Sequence, residues 1–214
     1  NMQAGVVAGH FRGGRSDEVS YMIDGVPVND SYGGVAAVSS LEVEAVKDLE
    51  VITGTFNAEY GNAMSGVVNA VTKDGSNEYT GSVNSGYSTY ITKNKRNGEE
   101  VFIGLDPFGI NGNTDLKINL SGPVIKNKLY FFSNYRTQKV NGHLNGIRRF
   151  EVWNLSDFYD QDSLNWVSQN TGDSSYVPMS TGEYSSFMGK LSYNIGNIKM
   201  AVMLNQNNSI SQGY

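Results

Sequence analysis

The sequence predicts a mainly β fold: a small mixed α/β domain over residues 1–74, then, over residues 75–214, the first about five antiparallel strands of an incomplete transmembrane β-barrel. Three observations predict it. Five segments alternate apolar and polar residues with period two, each about 10 residues long, the length a tilted strand needs to cross a bilayer. The connections between them alternate between short and long, the layout of outer-membrane barrels. The composition is one of strands, turns and wet loops, with 25 Gly, 24 Asn, 13 Tyr and 9 Phe against 4 Pro in 214 residues.

The composition also excludes function classes. With 39% hydrophobic and 17% charged residues the chain is too apolar to be disordered. A net charge of −5 without a basic stripe argues against nucleic acid as a partner. The absence of Cys leaves neither a disulfide framework nor a thiolate zinc site. No apolar run of about 20 residues suggests a membrane-spanning helix, and a barrel needs none.

In the first zone, VSYMIDGVPVND reads as two short strands around Asp24-Gly25. Asp-Gly suits a type I′ turn, which needs positive φ at both central residues. Pro27 cannot donate to a ladder, which places this hairpin at a sheet edge or a bulge. Ser39 followed by Glu42 resembles a capping box, so a short helix is expected near Ser40. VKDLEVITG reads as a strand with Val46, Leu49 and Val51 apolar, in imperfect alternation. NAEYGNAM allows one or two helical turns, and GVVNAVTK fits a buried strand.

In the second zone, Tyr79, Val83, Tyr87 and Ile91 oppose Thr80, Ser82, Asn84 and Ser88. Leu116, Ile118 and Leu120 oppose Lys117, Asn119 and Ser121. Leu129, Phe131 and Tyr135 oppose Asn134, Arg136 and Gln138. Phe187, Leu191, Tyr193 and Ile195 oppose Lys190, Ser192 and Asn194. Ile198, Met200, Val202 and Leu204 oppose Lys199, Asn205 and Asn207. Tight turns fall at Lys126-Asn127-Lys128 and Gly196-Asn197. Long loops fall at 93–112 and 142–182, the latter with little structure of its own. Alternation alone also suits a soluble sandwich. The loop asymmetry and the Asn, Lys, Arg and Gln on the polar faces favour a barrel, with Tyr79, Tyr90, Tyr130, Tyr184 and Tyr193 as interfacial aromatics. Five strands cannot close a membrane barrel, and both ends of the sequence read as interior, so a longer polypeptide is expected.

No catalytic constellation stands out. His10 and His143 lie in different zones, and FRGGRS lacks the Lys-Ser/Thr of a phosphate cradle. Asp157, Asp160 and Asp162 have the oxygen ligands for Ca²⁺ but not an EF-hand spacing, and read better as a solvated acidic loop. The expectation is therefore no enzyme, no cofactor and no metal site.

Several motifs together carry a resemblance. Arg12-Gly13, Ile23-Asp24-Gly25-Val26-Pro27, Leu49-Glu50-Val51-Ile52-Thr53-Gly54, Ala58-Glu59-Tyr60-Gly61 and Gly66-Val67-Val68-Asn69 running to Thr72-Lys73 match, in order and spacing, the plug domain of TonB-dependent outer-membrane receptors. FRGGRS, AEYG and SGPVIKNKLYFFSNYR resemble its Oar-like group, which often carries a carboxypeptidase-regulatory-like domain upstream. The SusC-like branch fits less well, since FRGGRS and AEYG replace its usual signatures.

The resemblance implies a globular plug inside a 22-stranded barrel of the bacterial outer membrane. It implies a non-enzymatic transporter or receptor that binds an extracellular peptide, protein or glycan breakdown product. Import would follow from plug rearrangement powered by the TonB complex through an N-terminal box upstream of this sequence. Outer-membrane lipids are implied partners, with a surface lipoprotein or another outer-membrane protein as a further one. By resemblance, Asn29, Asp30, Ser31 and Tyr32 lie on the substrate side of the plug. Arg12 is expected to pair with a barrel carboxylate, because Gly54-Thr55-Phe56-Asn57 lacks the Arg that siderophore and vitamin receptors carry there. The rival readings are a docking or assembly component with the same fold, a SusC-like importer, and a soluble β-sandwich adhesin.

Overall fold

The computed structural model describes residues 19–28, 41–53, 66–92, 95–105, 112–159 and 162–213. Its strands are β1 (Val19–Ile23), β2 (Val26–Pro27), β3 (Val46–Ile52), β4 (Gly66–Thr72), β5 (Thr80–Ser88), β6 (Lys95–Arg96), β7 (Glu99–Glu100), β8 (Asn113–Ile125) and β9 (Leu129–Asn141). These are followed by β10 (Asn145–Ile147), β11 (Ser156–Asp157), β12 (Val167–Ser168), β13 (Tyr176–Pro178), β14 (Ser180–Ile195) and β15 (Ile198–Gly213). The chain divides into two compact units, one of residues 1–84, 116–137 and 185–208, the other of residues 85–115, 138–184 and 209–214.

In the first unit a four-stranded sheet runs in the order β2-β1-β4-β3. Asp24 and Gly25 take φ of 50° and 80°, the left-handed pair that a type I′ turn demands, and β2 with Pro27 is the sheet edge. β1 and β4 pair in parallel, Ile23 opposite Ala70, and both are almost wholly buried, as a continuous β-branched run should be. β3 is the other edge. A register shift between Val46 and Asp48 is the physical cause of its broken alternation. The helix expected near Ser40 is not formed among the described residues: Val43–Ala45 is one 3-10 turn. Glu42 stands at its N-cap without capping, because its carboxylate is engaged elsewhere. Ser39, Ser40 and NAEYGNAM lie outside the described residues.

A five-stranded sheet has the order β15-β14-β9-β8-β5, unclosed, with β5 and β15 at its edges. Its strands β8, β9, β14 and β15 are 13, 13, 16 and 16 residues long, longer than the alternation alone marked. Tight turns at 126–128 and 196–197 close the β8–β9 and β14–β15 hairpins. The reciprocal amide bonds of Asn77 and Asn127 brace the first turn.

In the first unit, one face of this sheet leaves Val83, Leu191, Leu204 and Val202 exposed, Val202 by 74%. Apolar surface in water forgoes roughly 25 cal/mol per Å²; in a bilayer it forgoes nothing. The opposite face is polar. Thr80 bonds Ser121, and Ser82, Asn119 and Asn134 form an amide and hydroxyl ladder. Apolar residues interrupt that pattern. Phe132 and Met188 join Val19, Tyr21, Ile23, Leu41, Ala45, Val68 and Ala70 in one buried cluster, so the four-stranded sheet packs on the polar face. Tyr79, among the expected interfacial aromatics, is exposed on the apolar face with its hydroxyl donating to the Pro123 carbonyl.

In the second unit, residues 142–182 correct the expectation of a loop with little structure. β10 pairs with β13 and β11 with β12, both antiparallel, so the segment is a long nested hairpin. Asn154 holds it across the middle, accepting from the amides of Glu151 and Thr171 and donating to the Thr171 hydroxyl. Phe158 and Trp166 meet edge to face near its tip. Tyr90 and Phe102 pack against the His143 ring, which accounts for Tyr90 locally.

The step from the small sheet to the large one passes Gly75, where a Cβ would collide with the Phe131 carbonyl oxygen. Backbone cannot yield as a side-chain tip does. Gly75→Ala is expected to cost at least about 1–3 kcal/mol, the range of overpacked sites. Trypsin resistance of residues 1–74 in the purified full-length protein, lower in the variant than in the wild type, checks this.

Candidate functional site

Four carboxylates of the small sheet and its flanks meet four cations on the polar face of the large sheet. Asp24 comes from the turn after β1, Glu42 and Glu44 from the 3-10 turn, and Asp74 from the residues after β4. Their partners are Lys190 and Lys199 on β14 and β15, Arg136 on β9 and Lys117 on β8.

Lys190 is the centre, with a side chain 4% exposed. An ammonium has three protons to place. Asp24 Oδ2 lies 2.8 Å away, Thr72 Oγ1 2.8 Å and Asp74 Oδ1 3.0 Å. Thr72 in turn donates its amide and hydroxyl to Asp24, at 2.8 and 2.6 Å. Ser192 donates to Asp74 Oδ1 at 2.7 Å, and Lys199 binds the other oxygen. The turn that aims Asp24 is fixed over β4 by the Asp24 amide on Ala70 O and the Gly25 amide on Asn69 Oδ1. The cluster counts two positive and two negative charges.

Burial pushes the Asp74 carboxyl up, but the hydrogen bonds from Lys199, Ser192 and Lys190 and the Lys190 charge outweigh it and hold it down at about 2. Asp24 is treated the same way, burial opposing and the bonds from Lys190 and Thr72 prevailing, with a net lowering. Glu44 is lowered too, its burial outweighed chiefly by Lys117.

The second hold is Glu42, buried, with Arg136 Nη1 at 3.1 Å and the Ser186 hydroxyl donating at 3.2 Å. The third is Glu44, whose Oε1 lies 2.7 Å from Lys117. Beside this third hold opens a cleft of about 620 Å³, lined by Glu44, Lys47 and Lys73 on one side and by β5 and β8 on the other.

The sequence reading placed Lys117, Asn119, Asn134, Arg136, Lys190, Ser192 and Lys199 on the polar faces, and the structure brings them together there. It missed the four carboxylates. Asp24 was absorbed into the turn signal and Glu42 into the capping box. The available signal was that Asp24, Glu42, Glu44 and Asp74 gather in the first zone while cations share one parity of the later strands. The predicted substrate-side residues Asn29, Asp30, Ser31 and Tyr32, and Arg12, lie outside the described residues, as do His10 and Asp160. Asp157 and Asp162 accept the amides of Tyr159 and Leu164 in local turns.

Residues 4–67 match the family model of the TonB-dependent receptor plug domain. Over 212 residues the chain is 32% identical to the TonB-dependent transporter Oar of Myxococcus xanthus, covering 94% of this chain and 18% of that protein. The chain belongs to the TonB-dependent receptor family. Two solved members share the fold. The siderophore receptor PirA of Acinetobacter baumannii superposes with a TM-score of 0.51 at 19% identity, covering 92% of this chain and 25% of that one. A mutant of the ferric enterobactin receptor PfeA of Pseudomonas aeruginosa gives 0.50 at 16%, covering 92% and 26%. TonB-dependent receptors are outer-membrane transport proteins and not enzymes. The chain thus spans about a fifth to a quarter of the length of these relatives. The plug-domain match takes in β1, β2 and β3 of the four-stranded sheet.

Two outcomes are expected. Lys190→Met takes the cation from Asp24 and leaves Asp74 with Lys199 alone. On the order of 2–3 kcal/mol of plug docking is expected to be lost, below the 3–5 kcal/mol of a fully buried pair because the carboxylates keep some water. The urea midpoint for plug release in the detergent-solubilised full-length receptor reads it. The pH dependence follows from Asp74, whose folded-state value lies below the ordinary 3.8. Its contribution is complete above 3.8 and lost as pH falls through about 2. Amide exchange of residues 66–75, corrected for intrinsic rates, is expected to stay flat from pH 7 to 5 and to accelerate only on that acid limb. Asp74→Asn is expected to flatten the limb.

Proposed function

We propose that the full-length protein is a TonB-dependent transporter of the bacterial outer membrane. Residues 1–74 serve as the plug portion and 75–214 as the first barrel strands, with 93–112 and 142–182 as extracellular loops. It binds a peptide, protein or glycan breakdown product outside the cell and imports it as the plug rearranges. The TonB complex is the energy-coupling partner, outer-membrane lipids surround the wall, and a surface lipoprotein or another outer-membrane protein is a further partner. Asn29, Asp30, Ser31 and Tyr32 contact substrate, and Arg12 contacts a barrel carboxylate.

The observation that carries this reading is the two-faced wall: apolar and exposed on one side, polar and ion-paired to a separate sheet on the other. A soluble sandwich would bury the apolar face against a second sheet and would have no use for buried cations on the polar one. The ligand of the siderophore receptors is not carried over at 16–19% identity.

The test uses cells with and without the gene. The protein is expected in the outer-membrane fraction, migrating faster unboiled than boiled. Cells carrying it are expected to deplete members of a defined peptide and oligosaccharide mixture, and deleting tonB should abolish that difference. A soluble protein indifferent to boiling would sink the reading.

A further inference from the structure

The nested hairpin of the second unit carries apolar residues where a loop in water should be polar. Phe150, Val152, Trp153, Leu155, Phe158 and Tyr159 are each more than half exposed, six of ten consecutive residues. Val152, at 100%, and Trp153, at 72%, occupy the corners of a tight turn closed by the Asn154 amide on Glu151 O. Such corners ordinarily go to Gly, Asn, Asp or Pro. Their backbone is not free to fold them inward. The Gln169 amide donates to Leu155 O, and the Leu155 amide to Gln169 Oε1. The Asn154 clamp and the β11–β12 pair hold the same stretch. Apolar side chains kept in water on an ordered backbone mark an interaction surface.

Charge narrows the partner. From Phe150 to Gly189 the sequence contains no Lys, Arg or His, while residues 150–182 contain five acids. Asp173 is answered by Arg148. Asp157 is exposed beside Phe158 and Tyr159, its Oδ1 accepting the Tyr159 amide, and no cation meets it among the described residues. An acidic polysaccharide would be repelled. A neutral sugar would use the aromatic faces and gain nothing from Val152 and Leu155. A basic amphipathic polypeptide uses every part of the surface. Its apolar side chains cover Val152 and Leu155, and its Lys and Arg lie over the Trp153 and Tyr159 rings and beside Asp157.

We propose that this face of the hairpin docks a cationic polypeptide, with Trp153 and Tyr159 as its anchors and Asp157 as the charge that selects it. The proposal rests on the transport reading, which makes 142–182 an extracellular loop. It narrows the outside ligand from a peptide, protein or glycan to a basic peptide or protein segment.

Fluorescence anisotropy on the full-length receptor in zwitterionic nanodiscs tests it. The probes are a labelled amphipathic peptide of Leu and Lys, the same peptide with Glu for Lys, and a labelled neutral oligosaccharide. The Lys peptide is expected to bind, and to bind more weakly as salt is raised. Trp153→Ala and Tyr159→Ala are each expected to weaken it about tenfold, the loss of an aromatic anchor. Asp157→Asn keeps an acceptor for the Tyr159 amide and removes only the charge, with a loss of about threefold expected. All three sites are exposed, so each variant is expected to keep the wild-type gel shift on boiling. The proposal is overturned if the Lys peptide does not bind, if the Glu peptide binds as well, if the oligosaccharide alone binds, or if Trp153→Ala and Tyr159→Ala change nothing. Trp153→Cys with a membrane-impermeant maleimide separates the two readings. Labelling in the purified receptor but not on intact cells would place the loop inside and sink the transport reading as well. Protection in both would show the face covered by another segment of the full-length chain and sink the docking proposal alone.

Discussion

Everything in the first unit depends on one lysine taken out of water. An ammonium in the interior is costly unless each of its protons finds an acceptor. Lys190 finds all three, from two strands that are neighbours in space and far apart in sequence. Asp24 follows β1 and Thr72 ends β4. They meet because β1 and β4 run parallel with Ile23 opposite Ala70. A slip of one residue would turn the side chains of β4 to the other face and strand the cation. The ion cluster and the register of the plug sheet therefore specify each other.

The same constraint explains the two buried exceptions on the polar face, Phe132 and Met188. A strand facing a lumen should carry polar residues at every second position. Phe132 and Met188 stand where the plug core presses on β9 and β14, and there an apolar residue is the better neighbour. The inner face is thus a map of what it touches. It is apolar beneath Val19, Tyr21 and Val68, charged beneath the plug carboxylates, and hydroxyl and amide along the cleft.

Much of the fold was legible because its signals are local. Asp24-Gly25 specifies a turn, Pro27 an edge and the alternating runs their two faces, and each rests on neighbours in sequence. The helix expected from Ser39 and Glu42 failed for a non-local reason: Glu42 is claimed by Arg136, 94 positions away. The nested pairs within 142–182 were illegible because β11 and β12 are two residues each, too short to carry a period. The site was half legible. The parity of Lys117, Arg136 and Lys190 could be read on their strands, but the choice of partner could not, since Asp24 and Lys190 are 166 residues apart.

That separation bears on how charge and apolar surface share the contact between the two sheets. A large apolar contact resists separation in proportion to its area, because the parted surfaces would face water. Carboxylates and ammonium groups are tolerated in both states: paired when docked, hydrated when apart. Here the apolar contribution of the wall is confined to Phe132, Met188 and the partly buried Met203, while four carboxylates meet four cations. Electrostatic pairs also grade by burial in a way apolar contacts do not. The Lys117–Glu44 pair, open to water, is weakened by salt, while Lys190 is shielded from it.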